Sequence, residues 1–451
     1  MQNTLKKITL FILFSIGINF SKAQTVAQFD EIMNEIDLSG SAGYSVLIAK
    51  EDSIIYQKCV GLSNIEKGEV ITPNTKFRIA SNTKQFTAIC ILQLVNQGKI
   101  SLSTPINDFI PFVPNNISIE HLLTHTSGLP SYDDKEYPDS FYQKNLTSKE
   151  LIFLIKDDDI LSNPGEESYY NNTGYHILGY IIEQISGISY QQYLEKNIFE
   201  PLLLNQTHYE SSNSKISGLA MGYEYIDSSF SYTSYYSMDQ PYAAGSIVST
   251  PTDLVKWNKA LFSEHFMNDS LLSLAHKSYY LKNKTETFYG YGWIIMTLQG
   301  ERKIGHGGYL EGYNSSLYYL PTQKISVVVL SNCSQLYSES IATKLGALAI
   351  NKPIEEKVRI EMDVSNLYQF EGRYDLKELI LSFKVLEEGV LAFETGDSEY
   401  HIVYPENTNT FFSDELNCIV QFNLTENKMT LKVGDRETTG TKLNTTKPKQ
   451  H

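Results

Sequence analysis

Arg78–Ile79–Ala80–Ser81–Asn82–Thr83–Lys84 joins a strand-like lead-in, Lys76 to Ala80, to a run with Phe86, Ile89, Leu92 and Val95 at spacings of three. That period is helical, and Gly98 marks its end. Ser81 is therefore expected at the helix's first turn, with Lys84 one turn on and on the same face. A hydroxyl becomes a nucleophile when a neutral amine within hydrogen-bond reach takes its proton. The N–H groups of a helix start favour an oxyanion beside them. The spacing alone does not make a site: Ser212 and Lys215 share it in a polar stretch. An N-capping serine with a solvated lysine is the plainer account.

Composition bounds the rest. The chain has 451 residues, 41% hydrophobic and 20% charged, room for two or three globular domains. Its net charge of −15 leaves no basic face for nucleic acid. The 31 tyrosines suit wet clefts, since each joins an apolar ring to a polar tip. Residues 1–23 read as a secretory signal, with Lys6 and Lys7, an apolar run from Ile8 to Phe20, and Ser21–Lys22–Ala23 as cleavage site. The run is short for a membrane span, so an exported protein, periplasmic or secreted, is expected. Cys59, Cys90, Cys333 and Cys418 have no metal spacing. Free thiols are expected, although Cys59 and Cys333 could meet in one sheet.

Along the chain, Tyr44–Ala49 and Ser53–Val60 read as a hairpin. His121 and His125 stand at i, i+4 but lack the glutamate a metalloprotease helix needs, so no metal is expected. Their stretch reads as a helix ended by Ser127–Gly128–Leu129–Pro130, with Gly128 as C-cap. Thr147–Ser148–Lys149–Glu150 is a capping box. Tyr170–Asn171–Asn172 precedes a helix with Tyr175, Leu178, Ile181, Ile182 and Ile185 inward, ended by Gly187. Asn172 could be no more than its cap. Residues 100–210 are thus mostly helical. Tyr291–Met296, Ser316–Leu320 and Lys324–Ser331 read as strands, the last central. Gly305–His306–Gly307–Gly308–Tyr309 lies between the first two, as a glycine-rich strand edge where a ligand could come close. Ser338–Ile350 is a final helix. Residues 351–364 read as a linker, 365–446 as short strands of a small antiparallel barrel or sandwich, and 447–451 as a tail.

Taken in order, Ser81-x-x-Lys84, Tyr170-x-Asn172 and His306–Gly307–Gly308 resemble the serine β-lactamase and penicillin-binding protein superfamily. The branch is that of class C β-lactamases, DD-peptidases, D-aminopeptidases and related esterases, and the resemblance covers about residues 25–350. It implies an α+β fold in residues 24–350, an antiparallel sheet flanked by helices with an inserted all-helical subdomain. The C-terminal piece resembles the lipocalin-like barrels appended to some members. The resemblance implies Ser81 as nucleophile, Lys84 as base, Tyr170 as proton relay and Asn172 on the substrate amide. Backbone N–H groups of Ser81 and Tyr309 would form the oxyanion hole, and Gly307 and Gly308 would let the substrate lie against their strand. His306 replaces the lysine of most β-lactamases with a group expected to titrate near neutral pH. The expected activity is that of a cofactor-free exported serine hydrolase on amide or ester bonds. A D-amino-acid peptide or other cell-wall-related compound is the first substrate class. An esterase, a weak β-lactamase, or a non-catalytic penicillin-binding sensor are the alternatives.

Overall fold

The computed structural model describes residues 26–34, 38, 40–226, 229–262, 266–355, 357–376, 380–394, 400–413, 416, 418–434 and 436–443. The secretory signal at 1–23 and the tail at 447–451 lie outside the described residues. Two compact units emerge: one runs through Ile295 and resumes at Lys303–Asn351, and the other takes Met296–Arg302 and the chain from Lys352 onward.

The first unit is organised by a sheet in which Glu301–Leu310, paired from Ile304 onward, is followed by Tyr313–Leu320, Ile325–Ser331, Tyr44–Lys50 and Ser53–Val60. Ile325–Ser331 and Tyr313–Leu320 are buried along their whole length, as expected of central strands covered on both faces. Ile325–Ser331 pairs antiparallel with Tyr44–Lys50, so the two ends of the unit close on each other. Helices Pro251–Phe262 and Ser338–Ala349 pack on Ile325–Ser331. Residues 26–34 are helical and bury Phe29 and Met33, with Phe29 stacked on Tyr56 at 4.8 Å.

Gly305 to Tyr309 belong to the ten-residue strand Glu301–Leu310 rather than to a strand edge. Their glycines hide the alternation that would mark a strand, because their role is backbone approach rather than side-chain packing.

Helix Thr83–Asn96 is buried on every face from Thr83 to Leu92. It packs between Asn172–Ser186 and Tyr242–Gly245, so it is a core helix and not a half-exposed one. Phe86 stacks on Trp257 at 4.0 Å. The helical segment between residues 100 and 210 is present, with Asn172–Ser186 at its centre and Gly187 as a left-handed C-cap at φ +74°. Thr147 caps Ser148–Phe153 by accepting from the Glu150 N–H.

The second unit holds a closed antiparallel barrel of eight strands from Gly372–Asp375 to Arg436–Lys442. Phe370, Phe383, Phe393, Phe411 and Phe422 fill its interior, so it is a packed core, as an eight-stranded barrel of small bore permits. All four cysteines are free thiols.

Candidate active site

The turn bearing Ser81 is built from both sides. Phe77–Arg78 pairs with Ile247–Ser249, and the Ile79 N–H donates to the Ile247 carbonyl at 2.9 Å. Ala80 then takes φ +47°, a left-handed conformation that costs a side-chain-bearing residue about 1 kcal/mol. Ser81 follows within a single 3-10 turn, Ala80–Asn82, that feeds the α-helix. Buried side chains hold this geometry. The Ser315 hydroxyl donates to the Ile79 carbonyl at 2.8 Å and accepts from Asn82 Nδ2 at 2.9 Å. Gln85 links Asn82 to the Trp257 indole, at 3.3 and 3.0 Å. Arg78 makes a two-pronged ion pair with Glu210, at 2.9 and 3.0 Å.

The glycine-rich strand passes directly against this turn. A Cβ on Gly308 would lie 2.3 Å from the Ile79 oxygen and 2.4 Å from Ser315 Oγ, whereas one on Gly307 would meet only the Ser315 carbonyl, at 3.8 Å. Gly308 therefore sets the spacing between the strand and the nucleophile, and Gly307 leaves open space. Gly308→Ala is expected to lower the melting temperature and to cut kcat/KM about a hundredfold, the scale of a misplacement near 1 Å. Gly307→Ala is expected to leave the melting temperature in place and raise KM. Thermal melts and ester kinetics on the two variants check the contrast.

Lys84 is fully buried. Its Nζ lies 3.0 Å from Ser81 Oγ and 3.1 Å from the Ala244 carbonyl. Burial drives its pKa from 10.5 down to about 7, with Asp133 opposing, so a large share of the amine is neutral at neutral pH. The rings of Tyr170 and Tyr175 flank it at 4.8 and 5.5 Å. Tyr170 keeps 43% of its surface exposed while its hydroxyl bonds to Ser81. Burial raises the phenol's pKa above its ordinary value, the Ser81 bond lowers it, and Asp133 raises it further.

His306 joins the same group, its ring 6.0 Å from that of Tyr170. Nδ1 donates to the Gly307 carbonyl, which leaves Nε2 to accept from the Tyr289 hydroxyl at 3.0 Å. Burial pushes its pKa down to about 3, Lys84 adds to the effect, and the Gly307 bond opposes it. The expectation of a histidine titrating near neutral pH is thus corrected: His306 is a neutral hydrogen-bonding group there.

The structure brings Ser81, Lys84, Tyr170 and His306 together, with Gly308 against the turn and Tyr309 next along the strand. Asn172 lies two residues from Tyr170. The helix cap is its neighbour Asn171, whose side chain accepts from the Gly174 N–H at 2.7 Å. The Asn172 amide is left to donate to Asp133 at 2.5 Å.

Several residues of the site were not singled out in the sequence. Asp133 and Tyr289 are two. His125 was weighed only as half of a metal-spaced pair, in a helix that in fact ends at Leu123. It takes φ +58°, accepts from the Asn171 N–H at 3.1 Å, and packs on Tyr170 and Tyr289 at 4.4 and 4.6 Å. His121 bonds instead to Ser118. No cluster of metal-binding side chains occurs among the described residues, and no helix there is long and apolar enough to cross a membrane.

A family model described as Beta-lactamase matches residues 24–350. Protein flp of Staphylococcus aureus is 28% identical over 371 residues, 80% of this chain and 72% of that protein. The structure of an octameric penicillin-binding protein homologue from Pyrococcus abyssi is 29% identical, with a TM-score of 0.65 over 93% of this chain and 99% of that one. D-amino acid amidase from Ochrobactrum anthropi, 24% identical, shares the fold with a TM-score of 0.64 over 73% of this chain and 99% of its own.

Proposed function

The chain belongs to the Beta-lactamase family, a family of serine hydrolases, and from that premise we propose that Ser81 carries an acyl-enzyme in the cleavage of amide or ester bonds. The observation that carries this is the buried amine of Lys84, driven to a pKa of about 7, set 3.0 Å from Ser81 Oγ. Neutral Lys84 takes the hydroxyl proton as Ser81 Oγ bonds to the substrate carbonyl carbon. The oxyanion is held by the backbone N–H groups of Ser81 and Tyr309. As the C–N or C–O bond breaks, the proton passes through the Tyr170 hydroxyl to the leaving group. Water then cleaves the acyl-enzyme by the reverse relay, giving the acid and restoring Ser81. His306, through Tyr289, fixes the wall on which Tyr170 rests.

The substrate class we assign is a D-amino-acid peptide or another cell-wall-related compound, cleaved after export. The leader read at residues 1–23 supports this, as do the penicillin-binding description of the Pyrococcus abyssi relative and the amidase sharing the fold. A β-lactam carries a carboxylate, and neutral His306 offers it no cation, which sets β-lactamase activity behind peptidase and esterase activity. Intact-mass analysis after mixing with a fluorescent penicillin or a p-nitrophenyl ester is expected to show one acyl adduct, mapping to the peptide that holds Ser81. An adduct that persists in Ser81→Ala overturns the assignment.

The pH–rate profile is a second check. Activity is expected to rise with pH as Lys84 loses its proton near 7, and then level off. His306→Gln is expected to leave that midpoint in place, since His306 is neutral throughout the range.

A further inference from the structure

We propose that His125 positions Tyr170 for the proton relay by clasping the chain on both sides of it, so that cleavage of bonds with poor leaving groups depends on His125. The inference rests on the acyl-enzyme reading and adds a positioning residue to its relay, one that acts through Tyr170 rather than on the substrate.

Tyr170 lies in neither a helix nor a strand, just before the cap of Asn172–Ser186, and much of its surface is exposed. The repeating bonds of regular structure therefore do not hold its phenol at Ser81. His125 supplies the hold. Its carbonyl accepts from the Tyr169 N–H at 2.9 Å, and its ring Nδ1 accepts from the Asn171 N–H at 3.1 Å. One residue thus grips both neighbours of Tyr170, while its ring packs on the phenol ring at 4.4 Å. The clasp is itself anchored. The Gly165 N–H donates to the Thr126 carbonyl at 2.7 Å and the Leu161 N–H to the Gly128 carbonyl at 2.8 Å. Asn171 Nδ2 donates to the Leu129 carbonyl at 2.7 Å. A Cβ on Gly128 would lie 2.0 Å from the Ser162 oxygen, so the two stretches run in close contact.

Two features of His125 are costly for a residue that only filled space. Its φ of +58° lies where side-chain-bearing residues are uncommon, and such strain gathers at functional sites. With Nδ1 accepting, the proton of the neutral ring sits on Nε2, and this buried donor has no hydrogen-bond partner among the described residues. The rings of Tyr170, Tyr289 and Tyr175 surround it at 4.4, 4.6 and 5.2 Å, and their π electrons are weak acceptors. Burial, with Lys84 and His306 adding to it, holds the ring's pKa well below the ordinary value, so Nδ1 stays an acceptor at neutral pH. An apolar side chain would pack there without an orphaned donor, but could not accept from Asn171.

The test measures kcat/KM on a series of phenyl acetates whose leaving groups rise in basicity from p-nitrophenolate to phenolate. The proteins are wild type, Tyr170→Phe, His125→Leu, His125→Asn and the variant joining Tyr170→Phe to His125→Leu. Tyr170→Phe is expected to steepen the dependence on leaving-group pKa, because a relayed proton matters more as the leaving group grows more basic. His125→Leu is expected to steepen it likewise, losing about a hundredfold on phenyl acetate, the scale of a misplacement near 1 Å, and little on p-nitrophenyl acetate. Added to Tyr170→Phe, it is expected to cost nothing further. Asparagine tolerates positive φ and carries an acceptor oxygen at the δ1 position. His125→Asn is therefore expected to recover most of the loss yet stay steeper than wild type, since the ring is gone. If the leucine variant does not fold, judged by its melt, the asparagine variant decides alone on the same slope. A purely structural role lowers all esters in parallel and adds to the Tyr170→Phe loss, and either result overturns the proposal. A steep Tyr170→Phe line beside a His125 line parallel to wild type overturns this inference alone. A Tyr170→Phe line parallel to wild type overturns the relay itself, and this inference with it.

Discussion

Replacing Ser81 with alanine is expected to lower kcat/KM on an activated ester by about ten-thousand-fold while leaving the fold intact, because a nucleophile acting with its base fails as a unit. The turn around Ser81 is held by Ser315, Asn82, Gln85 and Trp257, none of which bonds to the Ser81 hydroxyl. Lys84 loses one partner and keeps the Ala244 carbonyl. Far-ultraviolet circular dichroism and the melting temperature should therefore match wild type. Retention of a tenth of the activity would place the nucleophile elsewhere.

Lys84→Met is expected to cost about a thousandfold or more in kcat and to stabilise the protein. A fully buried amine is an expense that a thioether of similar length does not incur. The pKa of Lys84 falls from 10.5 in the unfolded chain to about 7 in the folded one. Between those values the unfolded chain holds more protons, so stability rises with pH across that window. Below about 7 both states carry the proton and the fold bears the full cost of the buried charge, on the order of several kcal/mol. Denaturant melts should show wild type gaining stability from pH 7 to 10 relative to Lys84→Met, with the variant ahead at pH 6. A variant less stable than wild type at pH 6 would mean that Lys84 is charged and well paired, and so unfit to be the base. An active-site group that weakens the fold is an ordinary trade of stability for activity.

The parts of the site legible in the sequence were those whose chemistry is local. Helical spacing put Ser81 and Lys84 on one face, and only the ordered company of Tyr170-x-Asn172 and His306–Gly307–Gly308 set that pair apart from Ser212 and Lys215. Central strands such as Val327–Leu330 announced themselves by unbroken hydrophobicity. What remained hidden depends on contacts across the fold. Nothing near Ala80 signals its positive φ, in a turn against which Gly308 and Ser315 lie from two strands far along the chain. His125 lies in a helical-looking stretch, and only its burial among three tyrosines makes it part of the site. The pKa of His306 is likewise lowered by its burial and by Lys84 far along the chain, so a histidine that reads as a pH sensor is expected to stay neutral near pH 7. Asp133 carries no motif, and its place beside Asn172 comes with the Ser131 hydroxyl that donates to it.

The pairing of Tyr44–Lys50 with Ile325–Ser331 has a consequence for the timing of activity. Ser81 and Lys84 leave the ribosome early, but the two strands that seat the Ser81 turn, carrying Gly308 and Ser315, come more than two hundred residues later. At ordinary rates of synthesis that is a delay of roughly 10–50 s. During it the nascent polypeptide has a serine and an amine but no working catalyst. Hydrolytic competence is thus expected only once the last sheet strand has been made.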